Sequence, residues 1–166
     1  MTVKEAFEEV ITTVAAKLRP QGFVRRRLAL KKVIGESAVI VEFQKSDRSS
    51  SSQIIFTINL GVVCGELLDS GIAGLKKAQA IDAHVSDRLG FFLHDPIDTW
   101  WEVNESTDRD SLSNGLCDVL LTEAIPYLES YVDRNALIAL WESGKAPGLT
   151  AGQRARYLAR LKKDRA

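Results

Sequence analysis

The sequence predicts an α+β fold: an antiparallel sheet of four to five strands, an N-terminal helix on one face of it, and a C-terminal helical subdomain beside it. Three observations predict it. Residues 39–46 (VIVEFQKS) and 54–62 (IIFTINLGV) are strand-like runs flanking a serine-rich loop, the arrangement of a hairpin. The chain opens with apolar residues at helical spacing, and everything after Asp108 reads as helix. Strands grouped apart from helices indicate α+β rather than alternating βαβ units.

Val3, Phe7, Val10, Ile11, Val14 and Leu18 form one apolar stripe, which suits a helix covering a sheet. Thr2 with Glu5 fits a capping box, and Pro20 and Gly22 end the helix. A strand is expected over 23–33, followed by a two-residue turn at Gly35-Glu36 with glycine at positive φ. Counting from that turn sets Leu30 opposite Val41, Leu28 opposite Phe43, Ala29 opposite Glu42 and Arg27 opposite Gln44. Apolar and polar residues then separate onto two faces. The next hairpin adds Phe56, Ile58 and Leu60 to the apolar face and Thr57 and Asn59 to the polar one.

The loop 46–53 is too polar to pack and is expected to be mobile. Residues 61–82 are interrupted by Gly65, Gly71 and Gly74, and Ile72, Leu75, Ala78 and Ile81 suggest a short helix. A strand over 84–89 puts Val85, Asp87 and Leu89 on one side and His84, Ser86 and Arg88 on the other. Phe91, Phe92 and Leu93 are expected in the core. In a last strand, 99–103, Trp101 faces inward with Val103 and Trp100 faces the polar side with Glu102. Among the helices that follow, Pro126 kinks or divides the first, Asp133 caps a second that Gly144 ends, and Thr150 with Gln153 opens a basic terminal one. The whole chain, 1–166, reads as one domain: helix plus sheet over 1–105, and a helical extension packed on it over 106–166.

The formal net charge is zero, so no global field draws the protein to nucleic acid or membrane. The charges are nevertheless unevenly placed. Seven basic residues and no acid lie between Lys17 and Lys32, twelve acids lie between Asp82 and Asp133, and six basic residues face Asp164 alone after Thr150. Such asymmetry marks either partner surfaces or elements that neutralise each other. Cys64 and Cys117 form neither a disulfide framework nor a zinc motif, and both sit in apolar company. No apolar run approaches the roughly 18 residues of a membrane span, and the acidic N-terminal helix is not a signal peptide. The expectation is a cytoplasmic protein.

No GxGxxG, Walker or GxSxG pattern occurs. His84, Asp87, His94, Asp95 and Asp98 match no metal-ligand spacing, and the carboxylates Glu102 and Glu105 would need a cleft to act as a pair. No catalytic residue, metal or cofactor is assigned. The candidate surface is the polar side of the sheet: Arg25, Arg27, Glu42, Gln44, Thr57, Asn59, His84, Ser86, Arg88, Trp100 and Glu102. Guanidinium, carboxamide and indole groups are recognition chemistry. Gln44, Thr57, Asn59, Arg88, Trp100 and Glu102 are taken as the binding candidates. The competing reading is a solvated face with cross-strand pairs such as Arg27 with Glu42, or Gln44 and Asn59 tied to a strand end with Arg88 bridging to Asp98.

The segments Pro20-Gln-Gly-Phe23, Phe43-Gln-Lys-Ser46, Phe56-Thr-Ile-Asn-Leu-Gly61, Asp87-Arg-Leu-Gly90 and Asp98-Thr-Trp-Trp101 occur in this order. On them the chain resembles a bacterial family known as domain of unknown function 4304, over about residues 5–105. The resemblance implies an α+β fold and no activity. It adds weight to Gln44, Asn59, Arg88, Trp100 and Trp101. The first expectation is a non-catalytic binding or accessory protein that recognises a protein partner through the polar face. The second is an enzyme or sensor for a small polar or anionic ligand at the same face. Third comes a nucleic-acid accessory role through Arg154, Arg156, Arg160, Lys162, Lys163 and Arg165.

Overall fold

The computed structural model describes residues 1–146 and 149–163. Helix α1 (Val3–Leu18) opens with the capping box, Thr2 and Glu5 exchanging both hydrogen bonds. Gly22, at φ 100, turns the chain toward the sheet, and Phe23 is buried beneath it. Six strands follow: β1 (Val24–Arg26), β2 (Ala29–Ile34), β3 (Ser37–Lys45), β4 (Ile54–Cys64), β5 (Val85–Arg88) and β6 (Trp101–Val103). All pairings are antiparallel. The order is β1-β2-β3-β4-β5, with β6 also pairing with β4. β5 lies along residues 59–62 of β4 and β6 along residues 54–56, so the chain leaves the sheet between them.

The hairpin register is as expected. Leu30 faces Val41, Ala29 faces Glu42, Phe43 faces Ile58, and Gly35 turns at φ 58. The strand expected over 23–33 is instead a hairpin of its own. Arg27 adopts φ 57 and the chain reverses at Arg27-Leu28, stabilised by Arg25 Nε donating to the Arg27 carbonyl at 2.8 Å. Leu28 still meets Phe43 through a backbone hydrogen bond of 2.8 Å, but Arg27 does not reach Gln44's row. The loop 46–53 is tied down by serine: Ser49 Oγ bonds both the N–H and the carbonyl of Ile55.

The main core lies between the sheet and α1. Phe7, Phe43 and Phe56 meet there at centroid distances of 5.2–6.2 Å, and Trp101, half-buried, stacks on Phe56 at 5.9 Å. Three helices complete this side. α2 (Arg109–Val119) passes through a π-helical turn (Leu120–Ala124) into α3 (Ile125–Ser130), and α4 (Arg134–Glu142) follows. Pro126 has no N–H to close the helical ladder, so the kink expected there takes the form of a widened turn. The terminal helix α5 (Ala151–Lys163) stacks Tyr157 on Trp141, and Leu137, Trp141 and Leu161 are buried in the main core. Asp164 and Arg165 of the basic run lie outside the described residues.

Residues 61–82 do not form one helix. They finish β4 and then make three 3₁₀ turns (Gly65–Leu67, Gly71–Lys76 and Ala80–Asp82). Leu67 of the first joins the main core, and the other two fold over the other face of the sheet. Leu75 and Ala78 are buried there with Ala38, Ile40, Val63 and Ala83 in a second, smaller core. Ile72 and Ile81 are exposed, because a 3₁₀ turn does not keep the 3.6-residue stripe on one side. The outer face is therefore covered at one end and open at the other.

Candidate functional site

At the open end, register sets Glu42, Asn59 and Arg88 in one row across β3, β4 and β5. Asn59 Nδ2 donates to Gln44 Oε1 at 2.7 Å. Arg88 Nε donates to Asn59 Oδ1 at 3.3 Å, and its Nη1 donates to Asp98 Oδ2 at 2.7 Å. The Arg88 guanidinium lies 5.3 Å from the centre of the Trp100 ring, within cation–π range. Four of the binding candidates thus form one connected group.

Its assembly depends on Gly90. A Cβ there would come within 2.3 Å of the Ile97 carbonyl and 2.6 Å of the Thr99 nitrogen, so only glycine lets the returning segment close against β5. Thr57 fastens the same segment by donating its hydroxyl to the Thr99 carbonyl at 2.9 Å. The Arg-Leu-Gly and Asp-Thr-Trp-Trp segments therefore form one clasp. Leu89 anchors it in the core, Asp98 and Trp100 hold Arg88 from two sides, and Trp101 locks onto Phe56.

Gln44, Asn59 and Arg88 of this group floor an open groove of about 800 Å³ that Glu42, Ser86 and Asp87 also line, while Trp100 and Asp98 hold Arg88 from outside it. Glu42 Oε2 accepts from the Ala80 N–H at 3.1 Å, which fixes one wall. Two apolar side chains on the lining are left in water: Ile81 at 89% exposure and Phe91 at 47%. Asp87 reaches the groove from the inner side of β5, and burial raises its carboxyl above the usual range although the Arg88 N–H donates to it.

Not every candidate belongs here. Thr57 is fully buried and acts in the clasp. Glu102 is exposed on β6, opposite Ile55, and does not line the groove. Arg25 lies on the α1 side, in an ion pair with Glu8 at 2.7 Å, because the early hairpin breaks the alternation expected for one long strand. Arg27 makes no ion pair with Glu42, which instead faces Ala29. His84 is buried. Its Nδ1 accepts from the Cys64 N–H at 3.0 Å and its ring stands edge-on to Tyr157 at 4.9 Å. Burial lowers its pKa to about 4.

Sequence reasoning missed Phe91, Ile81 and Asp87. Nothing in periodicity marks an apolar residue that stays in water. Asp87 did carry a signal, a lone acid alternating with Val85 and Leu89 on an apolar side. Cys64 and Cys117 are buried free thiols, and burial raises both. Among the described residues no cluster of three or more His, Cys, Asp and Glu is placed to hold a metal, and no helix is long and apolar enough to cross a membrane.

Fold and site together define an α+β protein with an antiparallel sheet and a polar-floored groove on its outer face. The chain belongs to the family described as "Domain of unknown function (DUF4304)", whose model matches residues 14–130. That span holds all five segments of the expected pattern and also α2 and α3, while α4 and α5 lie beyond it. No curated protein and no solved structure matches the chain.

Proposed function

We propose that the protein is a non-catalytic binding module, working in the cytoplasm, that takes a segment of a protein partner into the groove over Gln44, Asn59 and Arg88. The observation that carries this reading is the pairing of a prearranged polar floor with Ile81 and Phe91 left in water above it. An apolar anchor flanked by fixed polar groups is the composition of an interface hot spot. The floor residues are held by one another before any partner arrives, which lowers the ordering cost of binding. Buried, unpaired Cys64 and Cys117 suit a reducing compartment.

A displayed random-peptide library, selected on the wild type and on the Phe91→Asp variant, tests it. The wild type should enrich a sequence family that Phe91→Asp and Trp100→Ala fail to hold, with melting temperatures preserved. Enrichment equal on wild type and variants overturns it. A small polar ligand in the same groove is the second reading, favoured by the raised carboxyl of Asp87. A thermal-shift panel of small metabolites, repeated on Asp87→Asn, separates the two. The basic terminal helix gains no support as a nucleic-acid surface. Arg154 donates to the Ala146 and Leu149 carbonyls, Arg160 to the Leu67 carbonyl, and Lys162 pairs with Glu142.

A further inference from the structure

The run of cations between Lys17 and Lys32 is sorted by the fold. Arg25 pairs with Glu8 and Lys32 with Glu129, both on the helix side of the sheet. Arg26 and Lys31 alternate to the outer face, and Arg27 joins them at the turn of the β1–β2 hairpin. There they line a second cleft, of about 470 Å³, whose opposite wall brings Lys76 and Lys77 from the second 3₁₀ turn.

Five cations therefore border one cleft whose lining, among the described residues, holds one acid, Glu42, which already accepts the Ala80 N–H. Arg26, Arg27, Lys76 and Lys77 are exposed and form no ion pair among the described residues. Lys31 Nζ donates to the Leu75 and Lys76 carbonyls at 2.8 and 3.1 Å, which fixes its ammonium at the edge of the cleft. Burial and the neighbouring Arg26 both lower its pKa, so the cations repel one another, and the nearby Asp82 offsets this only in part. Gathering five like charges with few counter-charges costs stability, and an anion bound among them would lower that cost.

We infer that the cleft between the Arg26-Arg27 turn and Lys76-Lys77 is a binding site for a small, multiply charged phosphate compound. Phosphate is the chemistry that suits it. Arginine forks match phosphate oxygens in paired hydrogen bonds, and lysine adds point charge. A single carboxylate would leave most of the positive charge unmatched, whereas a linear triphosphate carries several negative charges along its length. The site is independent of the groove proposal, although the two cavities share Leu28 and Glu42.

The test is titration calorimetry with inorganic tripolyphosphate at about 0.15 M salt, where bare surface attraction is screened beyond roughly 8 Å. Saturable one-to-one binding is expected, weakened at least about tenfold by Arg26→Ala combined with Lys77→Ala. The pair Arg156→Ala with Lys163→Ala on α5, and Phe91→Asp in the groove, should leave it unchanged. All these positions are exposed, and circular dichroism of each variant checks the fold. ATP, GTP and inorganic triphosphate are compared to show whether a nucleoside contributes. Absent binding at this salt overturns the proposal. So does equal loss in the α5 control, and so does a polyglutamate peptide or an RNA oligomer that outcompetes tripolyphosphate through the same cations.

Discussion

At the scale of the residue, Gly90 decides whether the groove exists. The segment 97–99 lies against it so closely that a methyl group has backbone atoms in its way at 2.3 and 2.6 Å. Backbone cannot rotate aside as a side-chain tip can, so Gly90→Ala should cost about 1–3 kcal/mol of stability by urea denaturation. The same change should push Asp98 and Trp100 off Arg88 and alter tryptophan emission in the folded state. An unchanged urea midpoint would mean that the segment does not close on β5. By contrast, Asp98→Asn should cost at most about 1 kcal/mol, because Arg88 and Asp98 are 35% and 41% exposed and solvent screens the pair. The connection from Gln44 through Asn59 to Arg88 was partly legible beforehand, since hairpin register places Gln44 and Asn59 on one face. The Arg88–Asp98 bridge was one of two readings left open. Phe91 was not legible, because hydrophobicity implies burial and only the three-dimensional path of 89–100 leaves it in water.

At the scale of the element, α5 docks onto the sheet end through His84. The imidazole is buried, accepts the Cys64 N–H and meets Tyr157 edge-on, with Asp82 and Arg160 as the nearest charges. Protonation would remove the lone pair that accepts that N–H. The histidine titrates near 6.5 when unfolded and at about 4 when folded, so between these values the unfolded chain binds more protons. Stability should be full above pH 6.5, fall as the pH drops toward 4, and level off below, for a total of about 3 kcal/mol. Urea midpoints at several pH values for wild type and His84→Gln measure this. Asp87 contributes with the opposite sign in both proteins, since acidification relieves its buried charge. A variant with the same acid slope as wild type would remove His84 from the account. Alternation placed this histidine on a polar face; it reads differently because β5 begins only at Val85, and His84 belongs to the turn leading in. The same local blindness hid the β1–β2 turn. Arg27 at φ 57 carries none of the glycine or asparagine that normally announces such a reversal.

At the scale of the whole molecule, the sheet has two unequal cores. The larger unites α1, the sheet and the later helices, and its hydrophobic periodicity made it readable in advance. The smaller rests on Ala38, Ile40, Val63, Leu75, Ala78 and Ala83, half of them alanines, and alanine-rich packing buries little apolar area. Two hydrogen bonds at the end of its longer 3₁₀ turn are long, 3.2 Å from the Lys77 N–H to the Gly74 carbonyl and 3.4 Å from the Ala78 N–H to the Leu75 carbonyl. Short turns with glycines and no single period gave no pattern to read, and for the same physical reason they form the weaker layer. This layer nonetheless supplies Ile81 to the groove and Lys76 and Lys77 to the basic cleft. Segments that shape binding sites are commonly drawn from the less stable parts of a fold. In hydrogen–deuterium exchange, amides of residues 71–83 should therefore exchange well before those of β3 and β4, through an opening that leaves the main core intact. Leu75→Ala should speed that exchange further and cost about 2–3 kcal/mol locally, with little change in β3 protection. Equal protection in both layers would show that the two cores open as one cooperative unit, and the sheet's outer face would then be as rigid as its inner one.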